Sequence, residues 1–256
     1  MLLMVSFIAV AALMSALWLW QLKSGRADWV DFVWASSIGL LAIAYAIFGE
    51  GAIEKRVIVA VVTGSWSFRL ARHLGVRLAS HSEEDGRYQS MRESFGEKQN
   101  LYFFLFFMVQ ALIAWLFSLP AWVVANDTDG TLSVWVLLGV AVWIGSLIGE
   151  SVADRQLSAF RNDPDTKGQV CRVGLWRYSR HPNYFFEWLH WFSYPLIAIG
   201  APWQWLTWLG PVLMLLFLYR ITGIPYTEKQ SLKSRGDAYR QYQRTTSPFI
   251  PWPPQN

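Results

Sequence analysis

Apolar residues in this chain come in long blocks rather than in alternation. Seven such runs cover residues 2–22, 29–49, 57–79, 101–125, 132–149, 184–200 and 203–221. Each approaches the ~20 residues a helix needs to cross a hydrocarbon layer about 30 Å thick. The pattern predicts an all-α, polytopic integral membrane protein with seven transmembrane helices. The third run differs from the others: its apolar start gives way to Arg69, Arg72 and His73, so its second half must meet protein, headgroups or water. No internal repeat or low-complexity tract interrupts the series.

Composition agrees with the blocks. Hydrophobic residues make up 54% and charged residues 16%, against roughly 45–50% and 25% in a soluble domain. The 16 Trp suit a chain that meets two membrane–water boundaries. Charge sets an expected orientation. With the N-terminus outside and the C-terminus inside, all of the 22 Lys and Arg except Lys55 and Arg56 fall on the cytoplasmic side. The net charge of +4 is then a topology signal, and no nucleic-acid partner is expected. The first run is read as retained, because no Lys or Arg precedes it and no small-x-small cleavage site ends it. One cysteine, Cys171, excludes an intramolecular disulfide, and four scattered histidines give no HExxH pair, so no metal is expected.

The connection between the fifth and sixth runs, 150–187, is too long for a minimal helix–helix turn. It opens with Glu150 and Asp154 at i, i+4 and continues through Arg155, Arg161, Arg172, Arg177, Arg180 and His181 to Pro182, which suits the first turn of a helix. From that start Asn183 and Glu187 share a face at i, i+4, and Glu187 and His190 pair at i, i+3. A carboxylate one turn into a span must face the bundle interior. The plainest role for these groups is helix–helix hydrogen bonding with arginines on lipid phosphates; the alternative is a ligand site.

The segment Gly174-Leu175-Trp176-Arg177-Tyr178-Ser179-Arg180-His181-Pro182-Asn183-Tyr184, followed by Glu187-Trp188, resembles bacterial membrane proteins related to the steroid 5α-reductase C-terminal domain. The tail is similar to the same family's ending in Gly223-Ile224-Pro225, Glu228-Lys229, Tyr239-Arg240-Gln241-Tyr242 and Ser247-Pro248-Phe249-Ile250-Pro251-Trp252. The resemblance covers about 150–252; before that it rests on span number and on Trp66-Ser67-Phe68-Arg69-Leu70. It implies a single membrane domain over 1–256 in the bacterial inner membrane, with substrate-side helices in 1–125 and a cofactor-binding region in 132–252. It also implies NADPH, with Arg172, Asn183, Glu187 and Tyr239 as contacts and Asp154, Arg155, Arg161 and Arg180 beside them. Arginines suit pyrophosphate and a 2′-phosphate, and an Asn with a carboxylate suits a nicotinamide carboxamide. Two positions depart from the family: Phe186 stands where relatives place Gly before the carboxylate, and Trp66 stands near the place of a substrate-binding tyrosine.

The implied reaction passes a hydride to the β-carbon of an α,β-unsaturated ketone in a hydrophobic, sterol-like substrate drawn from the bilayer. An acid must meet the negative charge that develops on the ketone oxygen. Glu50 is the preferred acid, with Tyr45, Glu54 and Tyr88 as alternatives. Two other classes compete. Membrane isoprenylcysteine methyltransferases, which use S-adenosylmethionine, are similar around Arg-His-Pro-x-Tyr and in a Glu-containing tail. A transporter or lipid-binding protein would use Glu187 and His190 as relay or helix glue. Lipids are the expected surroundings, and no obligate protein partner is expected.

Overall fold

A computed structural model describes residues 1–81, 83–221 and 223–255. Among these, regular structure is helical throughout: α1 (Leu2–Ser24), α2 (Trp29–Phe48), α3 (Ile53–Ser80), α4 (Gly86–Phe95), α5 (Gln99–Ala125), α6 (Val134–Asn162), α7 (Pro182–His190), α8 (Ser193–Ile197), α9 (Leu209–Leu216) and α10 (Ile224–Thr245). Five stretches are long and apolar enough to cross a membrane: Leu2–Ser24, Trp29–Phe48, Gly86–Ala125, Val134–Asn162 and Gln204–Thr245. The chain is therefore a multi-pass membrane protein. In the last stretch the apolar part ends at Ile221, and α10 beyond it is rich in Lys, Arg and Gln.

Two of the seven expected runs are not among the five. α3 forms across its whole expected range, but the basic residues between Arg69 and Arg77 dilute its apolar character. The run over 184–200 is divided into α7 and α8, of nine and five residues. Pro195 accounts for the break. It has no N–H for the Trp191 carbonyl four residues back, and its ring crowds that carbonyl. The chain tightens there instead, with the Trp191 and Phe192 N–H groups reaching back only to the Trp188 and Leu189 carbonyls.

The helices fall into two units, Met1–Leu132 with Gly200–Leu209, and Ser133–Ile199 with Gly210–Asn256. In the first unit, α2 lies close to α3 where Gly39 meets Ser67, whose hydroxyl donates to the Ala35 carbonyl at 2.7 Å. Charged networks close both ends of this unit. At one end, Arg26 grips Asp28 at 2.8 Å and Arg87 reaches Asp31 at 2.9 Å. Glu84 accepts from the Ala27 N–H at 2.6 Å and from Arg92 at 3.0 Å. The start of α2, the end of α3 and the start of α4 therefore meet there.

At the other end, Arg56 donates to the Ala46 and Ile47 carbonyls, which have no partner within α2. Gly49 and Gly51 let this turn run against the Ala125–Asp127 backbone; a Cβ on either would sit 2.5 or 2.6 Å from the Ala125 carbonyl oxygen. Beside them Lys55 and Asp127 form an ion pair at 2.8 Å, with side chains only 2% and 4% exposed.

In the second unit, α7 and α8 run antiparallel to α6, and two glycines of α6 set the approach. A Cβ at Gly139 would lie 2.6 Å from Ile197, and one at Gly149 would lie 2.4 Å from the Phe186 ring. α10 is two helices rather than one. Gly236, at φ 51° and ψ −125°, turns the chain, a conformation that glycine adopts without a Cβ clash. The halves fold back on each other, so that Gln243 in the second half donates to Glu228 in the first at 2.9 Å.

The buried ion pair gives a stability prediction. Removing Lys55 leaves the buried Asp127 charge without the cation it pairs with, which costs about 3–5 kcal/mol. Lys55→Met should therefore lower the thermal midpoint of the detergent-solubilised protein clearly, and Lys55→Met with Asp127→Leu should recover most of the loss. A single variant that melts like the parent would show that the pair does not lock this end.

Candidate functional site

Antiparallel register brings the polar residues of α6 and α7 together. The Asn183 amide donates to Asp154 Oδ1 at 3.2 Å. Counting one turn from that pair in opposite directions places Glu150 at the level of Glu187. Both carboxylates are buried, 7% and 8% exposed. Asn183 Oδ1 is also buried and has no hydrogen-bond partner among the described residues. An acceptor in that state is costly unless something meets it, so this end of α6 and α7 is suited to a ligand that brings an N–H. Phe186, the residue that departs from the resembled pattern, covers Gly149 next to Glu150 and so fills the space that a side chain on α6 would take.

A second cluster holds the approach to α7 in place. Arg180, 8% exposed, donates to Glu228 at 2.7 Å and to the Gln243 and Thr246 carbonyls at 2.8 Å each, while its own N–H bonds to the Ser247 carbonyl. Its guanidinium is committed to both halves of α10 and to the tail, which makes it an anchor of the site rather than a free anion ligand. The Ser179 hydroxyl donates to the Phe249 carbonyl at 2.8 Å, and the Tyr242 hydroxyl donates to the Trp176 carbonyl. His181 stands 3.4 Å from Glu228 and stacks on Tyr184. Burial pushes its imidazole below the ordinary range, with Glu228 offsetting part of the effect. Burial alone would raise Glu228, but hydrogen bonds from His181, Arg180 and Gln243, with the Arg180 charge, bring it down to about 2.

The remaining expected contacts are distributed around these clusters. Arg155, Arg161 and Arg172 are exposed, and none meets a carboxylate among the described residues. Arg172 donates to the Ala238 carbonyl at 3.3 Å and lies over the Tyr242 ring. Arg235, which sequence reasoning passed over, clasps the same region by donating to the Gln169 carbonyl at 2.8 Å. Tyr239 is buried inside the α10 hairpin, where burial first and Glu228 second push its phenol up to about 12, so it stays neutral.

The four candidate acids lie in the first unit and do not form one site. Tyr45 is fully buried, its hydroxyl donating to Ser6 at 2.9 Å and paired with Ser118 at 3.1 Å, so it joins α1, α2 and α5. Tyr88 is buried and donates to Asp31 at 2.7 Å. Glu50 and Glu54 are exposed beyond the opposite end of α2, roughly 25–30 Å from Asp31 by helical rise.

A protein-family model matches residues 17–246, nearly the whole chain and parts of both units. The chain belongs to this family, described as Protein of unknown function (DUF1295). No curated protein and no solved structure matches the chain. The DUF1295 match takes in every candidate residue from Tyr45 to Tyr239 and the Arg180 cluster up to Thr246, while the tail from Ser247 lies beyond it.

The Arg180 cluster predicts an acid-sensitive fold. A histidine held below its unfolded pKa contributes stability above about pH 6.5 that is lost as pH falls. A carboxylate held down to about 2 contributes stability above its unfolded value that is lost as pH falls toward 2. The melting temperature should therefore be flat above about pH 7 and fall in two stages below it, and His181→Gln should remove the upper stage and shift the lower one, because His181 helps to hold Glu228 down. A variant profile that overlays the parent's would rule out His181 as its source.

Proposed function

We propose that the protein is an NADPH-dependent membrane reductase, related to the steroid 5α-reductases, that reduces the conjugated C=C bond of a hydrophobic, sterol-like enone. The observation that carries this reading is the buried Asn183 acceptor without a partner, set beside Asp154 and two buried carboxylates. A nicotinamide carboxamide is a planar ligand with N–H donors that meets that need. In this reading Asn183 and Glu187 orient the carboxamide, and Asp154 holds the Asn183 side chain in position. Arg155, Arg161 and Arg172 carry charge with no carboxylate partner among the described residues and suit the phosphates. Arg180 and Tyr239 act from behind, by fixing the loop and the hairpin. Bound NADPH supplies the hydride; the chain's own residues orient it and keep water away from it. Of the four candidate acids, only Glu50 and Glu54 have side chains that a substrate can reach.

The same reading includes seven crossings, with α3 and the broken α7–α8 pair as two of them, the N-terminus outside and the tail inside. The ends of the first unit support that orientation. One gathers Arg26, Arg77, Arg87 and Arg92, and the other holds Lys55 and Arg56.

Titration of the purified protein tests the proposal. NADPH should bind more tightly than NADH. Arg172→Ala should remove a charge-assisted contact worth about 1.5–3 kcal/mol, a loss of roughly 10- to 100-fold in affinity. Glu187→Gln should keep the melting temperature and weaken NADPH binding. Equal affinity for the two nucleotides, an unchanged Glu187→Gln variant, or saturable binding of S-adenosylmethionine in place of NADPH would overturn the assignment.

A further inference from the structure

The C-terminal tail presents a surface that the reductase reading does not use. Residues 245–255 run beside 178–180. The Arg180 N–H meets the Ser247 carbonyl and the Trp252 N–H meets the Tyr178 carbonyl, while the Gln255 N–H returns to the Thr245 carbonyl. Phe249 fixes the level of this strap. Its ring packs 6.0 Å from Phe185, 5.5 Å from Trp188 and 6.0 Å from Tyr219, and Tyr219 lies at the end of the last apolar stretch. The residues around Phe249 are therefore held where the chain leaves the apolar layer.

At that level the outward side chains are of two kinds. Trp252 is 66% exposed, Ile250 55% and Tyr178 42%, apolar and aromatic surface that the strap's own packing leaves uncovered. Arg177, next to Tyr178, and Arg220, next to the Tyr219 that packs on Phe249, are both exposed, and neither meets a carboxylate among the described residues. Large aromatic rings with one polar edge settle at the headgroup level, and guanidinium groups next to them pair with phosphate oxygens. A water-facing surface has no use for that combination, and a hydrocarbon-facing one would not carry the arginines.

We propose that the strap and the Arg177 and Arg220 flanks form a binding surface for anionic phospholipid headgroups, with Trp252, Ile250 and Tyr178 inserted at the interface and the two arginines on the phosphates. The surface anchors the tail, and through the Arg180 and Trp252 bonds it presses on the loop that leads into α7.

Native mass spectrometry of the full-length protein, delipidated in detergent and titrated with phosphatidylglycerol or phosphatidylcholine of identical chains, tests this. Phosphatidylglycerol should be retained preferentially, by about fivefold for each arginine engaged. Arg177→Gln with Arg220→Gln should bring the preference close to one, while Trp252→Ala should weaken retention of both lipids. Raising the salt from low to high should erode the parent's preference without any substitution. Equal retention of the two lipids by the parent, a preference that survives the double arginine variant or high salt, or dimers that form in place of lipid adducts and vanish with Trp252→Ala would each overturn the proposal.

Discussion

Arg180 is the constraint on which the second unit depends. A single guanidinium ties the start of α7 to Glu228 in one half of α10 and to the Gln243 and Thr246 carbonyls in the other. Three segments that are distant in sequence are thus held by one charge that is itself buried. Such a charge is tolerable only when it is paired and hydrogen-bonded, so the loop, the hairpin and the tail depend on one another. The Asn183 and Glu187 positions follow from this, because they lie on the first turns of the helix that Arg180 introduces.

Close backbone approach does in the first unit what the arginine does in the second. Gly49 and Gly51 admit the Ala125–Asp127 backbone, and Gly39 admits Ser67. Once the backbones are that near, Lys55 and Asp127 are sealed from water and must pair. Tyr45 shows the same economy inside the apolar layer, where its hydroxyl is satisfied by serines of two other helices. These polar contacts are few, but in an apolar surrounding each one fixes which helices are neighbours.

Membership of the DUF1295 family covers the residues of both units, so the polar pair of helices and the Arg180 cluster lie within one family domain as its model defines it. The candidate ligand groups and the candidate acids are nevertheless different in kind. On α6 and α7 the buried Glu150 and Glu187 and the half-buried Asp154 and Asn183 converge through helix register, whereas Arg155, Arg161, Glu50 and Glu54 are exposed and the two tyrosines are engaged in helix packing.

The sequence by itself determined the helical, membrane-spanning character, because an apolar run of about 20 residues has few other stable states. It also placed the ends of α1, α2 and α5 and the start of α6 within about two residues, although α6 runs on to Asn162, well past the expected end at 149, and it paired Asn183 with Glu187 and Glu150 with Asp154, since i, i+4 spacing is local geometry. Tertiary structure decided the rest. Whether 184–200 stays one helix depends on a proline whose effect falls four residues back, at Trp191. That α10 is a hairpin depends on Gly236 and on a Glu228–Gln243 contact 15 residues apart in the chain. The contacts of Arg180, Tyr45 and Tyr88 are made with partners on other helices, which a local pattern does not encode. Their residue types suit catalysis and packing equally well, and only the identity of the neighbouring atoms separates the two.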